Sequence, residues 1–168
     1  MLFEMTVPAF IKSLTNLSAI LDKGAAFADS RKIEMEVLLN SRLFPDQLPL
    51  GRQIHIACDA AKLGVSRLTG KEAPKNDDTE KTWPEFKARI ESTIAYLKTI
   101  KPEDFKDAAT VKVTQPRWEG KYLFGTEYTL DHVIPNVYFH VTTAYSILRH
   151  NGVDIGKKDY LGAMNYKN

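Results

Sequence analysis

TEYTLDHVIPNVYFHVTTAYSILRHNG, residues 126–152, is the stretch on which the fold turns. Leu130, Ile134, Val137, Val141, Ala144, Tyr145 and Leu148 recur at intervals of three and four. That spacing gathers side chains on one side of an α-helix. Asn151-Gly152 supplies the stop, with Gly152 suited to the left-handed position past a helix end. Pro135 lies inside the run. It has no N–H to donate and its ring crowds the carbonyl of Asp131, so a kink is expected there. A long helix with one apolar stripe needs partners to bury it.

Three other segments carry the same signature. Thr82-Trp83-Pro84-Glu85 reads as a capping box with proline in the first turn. The helix it opens runs through Phe86, Ile90, Ile94 and Leu97 to about Ile100, where Lys101-Pro102 stops it. Leu50 to Leu68 shows a narrow stripe of Leu50, Ile54, Ala57, Ala61 and Leu68, ended by Gly70. Val7 to Ala26 follows Thr6 as N-cap, with Pro8 in the first turn and Phe10, Leu14, Leu17 and Leu21 on its stripe. Ser30 to Leu39 is a shorter, charged helical candidate, and Pro45 and Pro49 break the chain after it. Lys71 to Lys81 is polar and reads as an exposed loop. Thr110–Thr114 alternates and is β-branched, so it predicts a short strand that pairs with Lys121–Phe124. The expected architecture is all-α: one domain over 1–168, a four-helix bundle with a small β-hairpin inserted before the last helix.

Composition narrows the function classes. A net charge of +2, with both signs interspersed, lacks the basic stripe that a nucleic-acid binder needs. No apolar run approaches the ~20 residues of a membrane span. The single cysteine, Cys58, cannot form an internal disulfide, and Met1–Met5 carries no signal-peptide pattern, so the cytoplasm is the expected location. No triad, phosphate loop or cysteine-based zinc motif is present.

His132, Asn136 and His140 follow one another at intervals of four along the last helix, and His55 and Asp59 do so on the second long helix. Imidazoles and carboxylates one turn apart are how helical bundles build metal sites. Each residue also has a plainer reading. His140 borders the apolar stripe and is either a pocket residue or a hydrogen-bonded border histidine. Asn136 can satisfy the carbonyl that Pro135 frees. Asp59 can be an inter-helix polar contact, while His55, His132 and His150 read as surface histidines. Cys58, Trp83 and Trp118 read as packing residues.

The segment Pro135–Gly152, the tail Gly156–Gly162 and the stretch Leu50–Asp59 together resemble an uncharacterised bacterial family of the DinB/YfiT-like superfamily. That resemblance covers nearly the whole chain. It implies a four-helix bundle, often a homodimer, with a small-molecule pocket between helices. It also implies a divalent metal such as Zn, Ni or Mn, held by a histidine of the second helix and a His-x-x-x-His pair of the fourth; some members are thiol-dependent transferases. Carried onto this sequence, His140 matches the second histidine of the pair, Asn136 stands where the first belongs, and Asp59 or His55 supplies the third ligand. An amide oxygen is a poorer ligand than imidazole, so the resemblance implies a weakened site. His132 cannot replace Asn136, because two turns separate it from His140 by about 12 Å of helix. The function expected is a polar inter-helix pocket for a small molecule or a weakly held divalent metal, with a degenerate metal-dependent transferase or hydrolase as its enzymatic form. Its rival is a metal-free, non-enzymatic homodimer.

Overall fold

The structure, a computed structural model, describes residues 1–167. Helix α1 spans Leu2–Arg31, α2 Met35–Asn40, α3 Leu50–Thr69 and α4 Trp83–Thr99. Strands β1 (Lys112–Val113) and β2 (Leu123–Phe124) form the antiparallel hairpin, with Lys112 opposite Phe124. A short turn α5 (Gly125–Glu127) leads through a π-helical segment, Tyr128–Val133, into α6 (Ile134–His150); α7 (Lys157–Leu161) closes the chain. Helices α1, α3, α4 and α6 enclose the core. Phe10, Leu14, Leu17, Ile54, Ala57, Ala61, Ile90, Leu97, Val137 and Leu148 are fully buried in it. A lone hairpin is marginal in water, and this one buries Val113 against the bundle.

Helix α1 begins five residues before the expected start. Thr6 is not its cap: its hydroxyl donates to the Leu2 carbonyl at 2.7 Å, inside the helix. Glu4, in the first turn, suits the positive end of the helix. The charged stretch Ser30–Leu39 is not one helix either. Lys32 turns left-handed at φ 56°, ending α1, and α2 starts afresh at Met35. The capping box at Thr82 forms as read, with Glu85 accepting from the Thr82 N–H at 2.8 Å.

The break at Pro135 takes the form of the π turn that precedes it. A π turn is wider than an α turn, so the inward positions shift. Tyr128, Thr129 and Val133 are buried, whereas Leu130, placed on the stripe by α-helical spacing, is 45% exposed. The wide turn sits against α3 at its smallest residue. A methyl group on Gly64 would meet the Val133 side chain, so glycine sets how closely the two backbones approach.

Candidate functional site

The polar strip of α3 is the centre of the site. Arg52, His55, Asp59 and Lys62 share that strip, which by itself reads as a solvated face. It is covered. The segment Lys71–Lys81, expected to be an exposed loop, is mostly exposed, but it folds back along α3 and presents Asp78 and Glu80 to it. Asp78 reaches its position in the left-handed conformation at φ 54°, which a short polar side chain tolerates. From α4, Arg89 enters the same region with its side chain 1% exposed.

These residues form one ion network. Arg89 Nη1 lies 2.8 Å from Asp78 Oδ1 and 3.0 Å from Glu80 Oε1, and its Nη2 donates to Asp59 Oδ1 at 2.8 Å. Lys62, also buried, contacts Asp59 Oδ1 at 3.1 Å and the side chain of Asn76. Arg52 Nη1 donates to Asp78 Oδ2 at 2.8 Å and to His55 Nδ1 at 3.1 Å. The His55 ring stacks on Phe86, and its Nε2 stands 3.0 Å from Glu80 Oε2. Three acids face three strong bases, so the cluster is close to neutral as it stands.

The charge states follow from the surroundings. Burial lowers the His55 pKa, and the Arg89 charge lowers it further, so the ring is neutral near pH 7. Burial alone would raise the Asp78 carboxyl, but the hydrogen bond from Arg52 and the charge of Arg89 hold it below the usual range. Glu80 is likewise pushed up by burial, yet its backbone hydrogen bond and Arg89 bring it down overall. A neutral imidazole beside two carboxylates is the protonation state a divalent cation requires. One donor atom from each of His55, Asp78 and Glu80 lies within 4.8 Å of the other two. His55 Nε2 and Asp78 Oδ1 are buried without a well-aligned hydrogen bond despite their close neighbours. The pocket around them, about 210 Å³, is bounded also by Glu36 of α2 and Lys81.

A second cleft lies on the other side of Asp59, between α3 and the π turn that leads into α6. It measures about 140 Å³ and takes in Asp59, Arg67, Gln115, Arg117, His132 and Asn136. His132 stacks on Tyr128 at 5.4 Å between ring centres, and meets the edge of Trp118.

The sequence candidates therefore separate. Asp59 and Asn136 border one cleft, together with His132. His140 is not among the side chains lining it; its Nδ1 bonds to Gln53 of α3 at 2.7 Å, and burial lowers its pKa. His55 joins Asp78 and Glu80 instead. Three members of the network escape a reading by spacing: Asp78, Glu80 and Arg89. The one available signal was the acid excess of 77–80 in a segment that must pass close to α3's cationic strip.

A family described as "Domain of unknown function (DUF1993)" matches residues 2–161. The chain belongs to the DUF1993 family. None of the curated proteins matches it. Among solved structures, it is similar to a DinB family member protein from Shewanella denitrificans, with 58% identity, a TM-score of 0.97, and coverage of 100% of this chain and 96% of that one. The DinB-like fold expected from sequence is thus the fold of this DUF1993 chain.

The metal set implied by the superfamily can be compared with the residues of this DUF1993 chain. Asp59 and Asn136 line one cleft, and His140 is not among its lining residues. His140 uses one ring nitrogen on Gln53, and Asp59 Oδ1 is held by Arg89 and Lys62. His55, the other second-helix candidate, has the better donor company. Cys58 offers no thiolate: complete burial pushes it up to about 11. Among the described residues no helix is long and apolar enough to cross a membrane.

Proposed function

We propose that this protein is a ligand-binding helical bundle whose α3 pocket holds a divalent cation weakly, on His55, Asp78 and Glu80. The observation that carries this reading is the pair of buried, poorly aligned atoms, His55 Nε2 and Asp78 Oδ1, beside a third carboxylate donor. Three ligands each ~2.1 Å from a tetrahedral Zn²⁺ stand about 3.4 Å apart, so the trio, whose donor atoms lie within 4.8 Å of one another, has to draw in on binding. Nitrogen with two carboxylates suits Zn²⁺, Ni²⁺ or Mn²⁺.

Two features keep the affinity low. The guanidinium groups of Arg89 and Arg52 already compensate the carboxylates, and a cation competes with both. A metal on Nε2 also puts the ring proton on Nδ1, where it faces the N–H of Arg52. Binding, rather than turnover, is what these residues support. A homodimer in the cytoplasm belongs to the same reading, with Phe139 of α6, 59% exposed, available to a second copy.

The test is thermal unfolding with added Mn²⁺, Ni²⁺ or Zn²⁺, together with metal analysis of the purified protein. The melting temperature should rise with cation concentration in the wild type and in His140→Ala, and stay unmoved in His55→Ala and Glu80→Gln. No cation-dependent rise in the wild type discards the reading. The network is then a clamp for the 70–82 segment and nothing more, a view supported by Arg89 reaching both carboxylates.

A further inference from the structure

The two polar clusters of this molecule differ in one respect. At the His55 cluster each acid is matched by a base. In the cleft between α3 and the π turn before α6 the balance tips the other way. Arg67, from α3, donates to the Tyr128 hydroxyl at 3.0 Å. Arg117, from the turn between the hairpin strands, points its Nη2 at His132 Nε2, 3.4 Å away. Neither partner is a carboxylate, and among the described residues neither arginine makes an ion pair. Glu119 and Asp131 lie on the outer side of Arg117 without pairing with it. Asp59 is the acid within the cleft, and its Oδ1 is shared by Arg89 and Lys62.

The remaining groups are hydrogen-bonding ones. Gln115 Nε2 stands 3.3 Å from His132 Nε2. A guanidinium can only donate, so His132 Nε2 accepts and the ring proton lies on Nδ1. Burial, followed by the charges of Arg117 and Arg67, keeps this imidazole neutral. The Asn136 amide adds a further polar group to the wall. At about 140 Å³ the cleft has room for a few water molecules at ~30 Å³ each, far less than a drug-sized ligand occupies. It suits the head group of a molecule whose remainder lies outside.

We propose that this cleft binds the oxyanion group, carboxylate or phosphate, of a small molecule, with Arg67 and Arg117 as the recognising cations and Gln115 and Asn136 as neutral hydrogen-bond partners. Guanidinium is the side chain best matched to such a group, because its planar fork donates two parallel hydrogen bonds to two oxygens. The two arginines approach from different elements, so the oxyanion ties the hairpin to α3. The proposal is independent of the cation reading, because it uses none of its residues.

The test is an NMR titration at fixed ionic strength with inorganic phosphate in one arm and citrate in the other, following the His132 ring and Trp118 indole signals. Arg117 is exposed, so Arg117→Gln should fold as the wild type does. Saturable shifts in the wild type, weakened at least ~10-fold in Arg117→Gln, are expected for the loss of a charge-assisted contact. Arg42→Gln, which lies outside the cleft, controls for general charge and should bind as the wild type does. Saturation by phosphate alone identifies a phosphate ester as the ligand class, by citrate alone a carboxylate, and by both an oxyanion of either kind. Saturation by neither, or equal weakening in Arg42→Gln and Arg117→Gln, overturns the proposal. His55→Ala should leave these shifts unchanged, so the outcome is separable from that of the metal test.

Discussion

His140 Nδ1 lies 2.7 Å from Gln53 Oε1, joining α6 to α3 across the buried interface. The orientation of the amide follows from its other end. Gln53 Nε2 donates to the Leu48 carbonyl at 2.9 Å, so Oε1 faces His140 as acceptor. His140 therefore carries its proton on Nδ1 and donates. The same bond holds the segment before α3, through Leu48, to the last helix.

Removing His140 strands that acceptor. His140→Ala should destabilise the protein by about 1–3 kcal/mol, the cost of a buried polar group left unpaired. Urea denaturation of His140→Ala, Gln53→Leu and the double variant measures it. The double variant should cost clearly less than the sum of the singles. Strict additivity means that the contact carries no coupling.

Arg89→Met should be more damaging than any single acid substitution in the network. It leaves Asp59, Asp78 and Glu80 with two cations among them, and its own site is nearly sealed. A fully buried pair broken from one side loses ~3–5 kcal/mol; here the acids are partly in water, so about 2–3 kcal/mol is expected. Denaturant midpoints for Arg89→Met, Asp78→Asn and Glu80→Gln test the ranking. A smaller loss for Arg89→Met than for Glu80→Gln would contradict it.

Stability should fall as the pH drops below about 6.5. His55, His132 and His140 all have lowered pKa values, mainly by burial. Between their folded pKa values and the unfolded value near 6.5, the unfolded chain binds more protons, so protonation pulls toward unfolding. Asp78 and Glu80 act in the same direction at lower pH: their stabilisation is present above the unfolded carboxylate pKa and is lost as pH falls through the folded one. Denaturation midpoints between pH 5 and 8 should slope upward with pH and flatten above about 7. A flat profile across that range rules the linkage out.

Arg52→Gln should strengthen cation binding at the α3 pocket. The change removes a competing charge and replaces a donor-only group with one whose oxygen can accept from Nδ1–H. A titration with Mn²⁺ or Zn²⁺ should show a lower Kd than the wild type. An unchanged or weaker affinity means that Arg52 does not compete for the site.

Much of this was legible in the sequence, and the illegible parts have physical reasons. Stripes such as Phe10–Leu14–Leu17–Leu21 and the caps at Thr82 and Gly70 report local geometry, so four helices and a hairpin follow from them. Leu130 misled because a fixed α-helical angle was carried through residues wound as a π turn. The site is a tertiary arrangement, and spacing within one helix cannot reveal it. Arg89 lies on α4, and Asp78 and Glu80 lie in a segment without periodicity; only the fold brings them to His55. Asp59 and Asn136 were candidates, and they do border one cleft. The regular interval of four that linked Asn136 to His140 says nothing about which neighbour each one faces.

The π turn at Tyr128–Val133 also constrains the permissible length of the chain. Upstream of it hangs the hairpin with Arg117; downstream, α6 is keyed into the core by Val137 and Leu148. A π turn is an α-helix carrying one extra residue, so a single deletion there can be absorbed by rewinding it as α-helix, whereas one further residue would swing one end about 100° around the axis relative to the other. After such an insertion Arg117 would no longer look across at Arg67. Relatives that share the cleft should therefore tolerate loss of one residue along 126–134 far better than gain of one.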